Sequence, residues 1–409
     1  MSNRIRFAVF FVSLCHPLFT RAQAANFPVI DGSDKDLNRE TIELKNWAHF
    51  PDRLLPAHGQ WPTDFEMISI DQIFGQVKFS TFAVEVTIGP SQKNAELAIE
   101  VPAIFSSYEL LVNGERIGSK GKVGASPLQS SPEAGPAVYF FKSTKDTVQF
   151  ILQVANFYPS PGGIKGLLRL GSAQLLRQQT GLIKIMDNIL FFVLFLVGLI
   201  SLCFYYIVFE HRNVFLFQSL FSWAWLLRSL FGYHYRILDW VDLPWAWLMR
   251  IEYWSMIFTT AFALLFIASL FPNDFKKNIK IGALAISGLF AISVFFFSPN
   301  TFIPQIRVYL GFSCIVLAYV FVVIAKAFVD ERGGVTLMLL SMFMGSLAFG
   351  YAIVSYFGFF DMKMMVYDIS FSILSVMLSV SVWARLSKMD RLSETSVLTM
   401  EHFFLEERE

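Results

Sequence analysis

A series of long, uncharged apolar runs begins just after Lys184, and it limits the C-terminal part of this chain to very few folds. The runs are Asn188–Phe209, Asn213–Leu227, Tyr253–Asn273, Ile281–Ile306, Val308–Ala325, Gly333–Phe360 and Ile369–Ala384. About 20 apolar residues in a helix cross a bilayer. In hydrocarbon every backbone N–H and C=O must be satisfied inside the segment, which leaves the helix as the form such runs take. The two shortest runs reach the required length by taking in Arg228–Tyr235 and Tyr367–Asp368. The sequence therefore predicts a bundle of seven transmembrane helices over 180–386, at about 183–209, 213–235, 247–272, 279–298, 303–328, 333–359 and 366–386.

Charge placement orients these spans. If the first helix enters from the outside, the inner segments hold Arg212, Lys276, Lys277, Lys280, Lys326, Arg332, Arg385, Lys388 and Arg391. The outer loops then hold only Arg236, Arg250, Arg307 and Lys363. Nine against four is the bias expected of cytoplasmic loops. The expectation is a multi-pass protein of the bacterial inner membrane, N-terminal domain periplasmic and C-terminus cytoplasmic. A net charge of +1 with 16% charged residues gives no footprint for nucleic acid.

The residues before the runs read differently. Arg4 and Arg6, the apolar stretch Phe7–Phe19 and Ala22-Gln23-Ala24 have the order of a signal peptide over 1–24, so the following part is expected outside. Residues 25–179 carry dense turn signals, including Asn113-Gly114 and Gly135-Pro136. Short runs lie between them, Phe79–Ile88, Ala95–Val101, Tyr108–Val112, Ala137–Lys142 and Thr147–Ala155, and some of these partly alternate apolar and polar. That pattern predicts an all-β domain, a sandwich or jelly roll. It has no cysteine, and Cys203 and Cys314 in the apolar runs read as small buried hydrophobes.

Catalytic and metal motifs are missing: no GxSxG, HExxH, Walker sequence or Cys/His spacing occurs, so no enzyme activity, metal or cofactor is expected. His49 and His58 read as surface or turn residues. Arg228 and Glu252 stand out as ionisable groups within or beside apolar runs, where burying a charge is costly, and they are expected to pair between the second and third helices. The aromatic set Trp223, Trp225, Tyr233, Tyr235, Trp240, Trp245, Trp247, Tyr253 and Trp254, with Arg236, Asp239 and Asp242, reads as membrane-interface belting and in part as a dock for the β domain. In that domain Trp47, Trp61, Tyr108, Asn156 and Tyr158 are candidates for a carbohydrate-like ligand, aromatic faces stacking on the ring and the amide bonding hydroxyls; core packing accounts for the same residues.

The order of parts and several phrases resemble the bacterial seven-transmembrane receptors with diverse intracellular signalling modules. The phrases are Tyr108-Glu109-Leu110-Leu111-Val112-Asn113-Gly114-Glu115 with Gly118, Val154-Ala155-Asn156 with Gly162-Gly163 and Leu170-Gly171, then Leu227-Arg228 and Glu252-Tyr253. The resemblance implies a periplasmic jelly roll similar to carbohydrate-binding modules, and a seven-helix domain coupled to a cytoplasmic effector. Effectors of such relatives follow near where this sequence ends at Glu409, so the expected effector lies further along the chain or on a separate partner. From Trp383 to Glu409, a helix running on into a cytoplasmic tail over 387–409, Leu386, Met389, Ser393, Val397, Met400 and Phe404 approximate a seam that would make a short coiled coil and a homodimer. The expected partners are a small periplasmic ligand, membrane lipid and that effector. The competing readings are a membrane-anchored envelope binding or adhesion module and, behind it, a transporter. The bundle shows no midplane set of carboxylates for transport.

Overall fold

The computed structural model describes residues 27–56, 61–70, 78–104, 106–157, 166–232, 234–356, 366 and 369–387. Its N-terminal part is two stacked sheets. The larger runs β4 (Glu66–Ser69), β3 (Asn46–Pro51), β5 (Phe79–Ile88), β10 (Thr147–Ala155), β7 (Ser107–Val112), β8 (Glu115–Lys120), with β1 (Val29–Gly32) parallel to β5. The smaller runs β2 (Ile42–Leu44), β11 (Leu168–Ser172), β6 (Glu96–Val101), β9 (Ala137–Lys142).

The period of two decides what each strand buries. Phe82, Val84, Val86 and Ile88 of β5 share one core with Val148, Phe150, Leu152 and Val154 of β10, and with Leu97, Ile99 and Val101 of β6 in the facing sheet. The intervening residue Ala98 points the other way, onto Ala173 and Leu176. Asn113 and Gly114, with φ of 50° and 87°, make the tight turn between β7 and β8. Both central residues of a type I′ hairpin need positive φ, which Asn and Gly tolerate.

Seven helices follow, each long and apolar enough to cross a membrane: α1 (Ala173–Ile207), α2 (Arg212–Phe231), α3 (Trp245–Leu270), α4 (Lys277–Phe296), α5 (Pro299–Val329), α6 (Val335–Tyr356) and α7 (Ile369–Ser387). Helix α1 starts earlier than hydropathy indicated, so position 179/180 falls inside it. Its N-cap is Ser172, the last residue of β11, whose Oγ accepts from the Leu175 N–H at 3.2 Å. The composition change near Lys184 marks where the helix becomes apolar, not where it begins. With 35 residues α1 is about 52 Å long, well beyond the roughly 30 Å hydrocarbon layer.

Two sequence readings are corrected. Cys203 and Cys314 are exposed on the outside of the bundle. An apolar environment outside a membrane helix looks, in sequence, the same as one inside. His49 is buried in β3, stacked on Phe82 with ring centroids 4.7 Å apart, and its Nε2 is 3.0 Å from Ser80 Oγ. His58 lies outside the described residues.

Candidate functional site

The two halves of the protein meet at the end of the bundle where α1 begins. One connection is covalent: β11 passes into α1 with no residue between them. The first turns of α1 then lie on the smaller sheet, where Arg177 reaches Glu96 at 2.9 Å and stands 4.4 Å above the Phe140 ring. A displacement of β11 must therefore move α1, because no flexible linker absorbs it.

The second connection is a docking contact. After α2 the chain turns at Gly232, and Tyr235 adopts the left-handed conformation, φ 47°, as cap of a short 3-10 turn, Arg236–Asp239. A non-glycine residue held there stores about 1–2 kcal/mol, which surrounding contacts must offset. Tyr235 is buried, and it packs with Ala134 of the sandwich, next to Gly135. Its hydroxyl donates to Glu252 Oε2 at 3.0 Å, while Arg228 Nη1 lies 3.2 Å from Glu252 Oε1. Burial first, and the neighbouring Glu252 carboxylate second, push the Tyr235 hydroxyl well above its ordinary pKa, so it stays a donor.

A second charge set, buried at Asp187 and Arg236, ties α1 into the same place. Asp187 of α1 accepts from His234 Nδ1 at 3.1 Å and sits 3.4 Å from Arg236 Nε. Arg236 also pairs with Asp239, and Lys184 of α1 lies 3.7 Å from Asp239. Asp187 and Arg236 are buried and Lys184 and Asp239 are half exposed; buried charges are held only when paired, so Asp187, His234 and Arg236, with Arg228 and Glu252, fix α1, α2, α3 and the α2–α3 turn relative to one another.

From this end α2 leads to α7. Trp225 stacks on Phe371 at 4.3 Å, Gln218 Nε2 donates to Ser379 Oγ at 3.0 Å, and Phe215 and Phe204 contact Trp383 at 5.6 and 4.3 Å. The polar inward residues Gln218, Ser219 and Ser222 explain why α2 is the weakest apolar run in the sequence. They face protein, not lipid.

The ligand candidates are dispersed. Trp47 and Tyr108 are 0% exposed: the Trp47 indole donates to the Leu44 carbonyl at 2.7 Å, and the Tyr108 hydroxyl pairs with Tyr139 at 3.0 Å. Neither offers a face to a ligand, so their core reading replaces the binding one. Trp61 is partly exposed and packs on Phe27 over the outer face of the larger sheet. Asn156 is buried at the end of β10, and its Oδ1 has no partner among the described residues. Tyr158, Met389, Val397, Met400 and Phe404 lie outside the described residues. Leu386 is packed inside the bundle with Val382 and Met338, so it is not on a free seam. The residues that sequence reasoning missed are Lys184, Asp187 and His234. Asp187 carried the usable signal, a carboxylate at the threshold of an apolar run. Among the described residues no group of three His, Cys, Asp or Glu could hold a metal ion.

Residues 184–385 match the family described as 7TM diverse intracellular signalling. No curated protein matches the chain. Solved structures similar to part of it include a β-glucuronidase of Faecalibacterium prausnitzii, with 10% identity over 32% of this chain and 31% of that one, TM-score 0.26. A Bacteroides uniformis β-glucuronidase 2 is 12% identical over 32% and 18%, TM-score 0.26. A GH2 β-galacturonidase of Eisenbergiella tayi bound to galacturonate is 16% identical over 32% and 24%, TM-score 0.21. The chain thus spans less than a third of each, and likenesses at these TM-scores carry no argument about fold or activity.

Proposed function

Because residues 184–385 belong to the 7TM diverse intracellular signalling family, we propose that this membrane receptor senses a small ligand outside the cell membrane and passes the change through its helices to a cytoplasmic effector. The β domain, read as a periplasmic jelly roll, is the sensor. Trp61, Asn156 and Tyr158 are the remaining candidates for contact with a carbohydrate-like ligand. The lysine and arginine bias puts the end of α7 in the cytoplasm, where an effector, in the same chain or separate, takes up the signal, with a homodimer joined beyond Ser387 as the expected receiving form.

The observation that carries this reading is the double connection of sandwich to bundle. The strand β11 runs directly into α1, and Ala134 docks on Tyr235, which bonds Glu252, which holds Arg228 of α2. A module that only anchored a binding domain would have no use for two rigid couplings and a buried ion network at their meeting point. The ligand acts by favouring one of two arrangements of this junction, which requires different affinity for each.

The test is a reporter cyclase fused after Glu409 in the full chain, with a panel of sugars and small metabolites added outside. Ligand-dependent cyclase activity that is lost in Glu252→Gln and Tyr235→Phe supports the relay. A ligand that stabilises the purified protein, with cyclase output unchanged, would leave an anchored binding or adhesion module.

A further inference from the structure

The opposite end of the bundle holds a second polar cluster that the sandwich junction does not use. Asp274, in the turn after α3, has a side chain only 5% exposed, with Lys326 of α5 at 3.3 Å and the Arg332 guanidinium on both of its oxygens. Beside it α7 makes its last turn. Arg385 of α7 is 6% exposed; its guanidinium lies 4.2 Å over the Phe271 ring at the end of α3, and Nη1 is 3.5 Å from the Gly333 carbonyl. Its Nε has no partner among the described residues.

The α5–α6 turn touches the α7 backbone at the same residue. Gly334 has φ +76°, and a Cβ added there would fall 2.7 Å from both Cα and N of Arg385. Only glycine fits, for its backbone conformation and for the space.

Two points single out this arrangement. Ala384 and Ser387, on the same turn of α7, are exposed, so a cation serving only as a membrane-face anchor would be solvated on that side at no cost. Arg385 is instead turned inward, within electrostatic reach of Arg332, a like charge, and of Asp274. Burying a charge beside another of the same sign is unfavourable unless a counter-charge is near, and Asp274, paired with Arg332 and within electrostatic reach of Arg385, supplies it. The cost is accepted at a residue where two turns, the one after α3 and the one between α5 and α6, close on α7.

We infer that Arg385 is a rotational latch on α7. Phe271, Gly333 and Gly334 grip it, and Asp274 holds Arg332 and Lys326 so that they do not expel it. With the latch closed, Val382 and Leu386 face the bundle and Ala384 faces out; releasing it frees the last turn of α7 to rotate. The purpose of the latch rests on the receptor reading, in which α7 leads to the effector, but its existence does not.

The test uses the full-length protein in nanodiscs with Cys15, Cys203 and Cys314 changed to Ser and one new cysteine at Val382, Ala384 or Leu194. Labelling by a small methanethiosulfonate reagent reports which face of α7 is open. In the otherwise native protein the Ala384→Cys thiol reacts quickly, while the Val382→Cys and Leu194→Cys thiols are shielded. Gly334→Ala, which wedges the turn from α7 without changing charge, and Arg385→Gln are each expected to raise the rate at position 382 at least tenfold and leave position 194 unchanged. Asp274→Asn should do the same, less strongly. An unchanged rate at 382 in both Gly334→Ala and Arg385→Gln overturns the latch. An equal rise at 194 overturns it too, since it shows general loosening of the bundle. No ligand or effector takes part, so failure here leaves the receptor reading to its own cyclase test.

Discussion

Replacing Tyr235 by Phe removes one oxygen from the contact between sandwich and bundle and keeps the ring that packs on Ala134. The lost bond is the donation at 3.0 Å to Glu252, whose side chain is 12% exposed. A buried hydrogen bond to a charged group contributes about 1.5–3 kcal/mol. The Arg228–Glu252 attraction at 3.2 Å is about 5 kcal/mol at an effective dielectric of about 20, and desolvation of the two groups offsets most of it, leaving about 1–3 kcal/mol net. Both bonds end on one carboxylate, so they are not independent. Tyr235→Phe is expected to lower the melting temperature of the full-length protein by roughly 3–12 °C, at about 2–4 °C per kcal/mol. Arg228→Gln should cost a similar amount, and the double variant should differ from the sum by about 0.5–3 kcal/mol. The assay is thermal unfolding in nanodiscs, followed by tryptophan fluorescence, for the four members of this cycle. A loss below about 0.5 kcal/mol for Tyr235→Phe, or strict additivity with Arg228→Gln, would refute the reasoning, because it would mean that Glu252 does not join the docking residue to α2.

Trp47→Phe should destabilise the protein by about 2–4 kcal/mol by leaving a cavity and an unpaired Leu44 carbonyl, yet leave the dissociation constant of any sandwich ligand unchanged; Trp61→Ala should do the reverse, as titration calorimetry would show. Burial lowers the His49 pKa from its ordinary 6.5, and the nearby Glu66 and Asp52 carboxylates offset this only in part. Well above pH 6.5 both states are neutral at this site; as pH falls through 6.5 the unfolded chain takes the proton first, and the loss is complete below the depressed folded value. Stability should therefore drop as pH falls from about 7 through 6.5 and below, and His49→Gln should flatten melting temperature against pH. Gly198→Ala places a methyl group against the Trp223 indole and should cost about 1–3 kcal/mol by pushing α1 from α2; an unchanged melting temperature would show that this crossing has slack.

Much of this architecture is written locally. Strands β5, β9 and β10 end at the residues the pattern marks, because turn residues and alternation are properties of short segments. The seven spans are legible because hydrocarbon tolerates little besides a long apolar helix. Arg228 and Glu252 stood out because an ionisable group in an apolar run always raises the question of its partner. What the sequence could not decide is which way each side chain points. Trp47 and Tyr108 have the composition of a sugar platform, but the facing sheet closes over them. Cys203 and Cys314 sit in apolar runs and face outward, while Leu386, in a plausible seam, faces inward. Azimuth around a helix or strand depends on neighbours that are distant in the chain. The same holds for the sites: Asp187 meets His234, and Arg385 meets Phe271, only after helices α1 to α7 have packed. Sequence alone determined the kind of each part and the number of crossings, since burial of apolar surface and backbone pairing act on every segment by itself. Tertiary structure decided the couplings, the linkerless passage from β11 to α1, the docking on Tyr235 and the grip on α7, because each arises where separate segments meet.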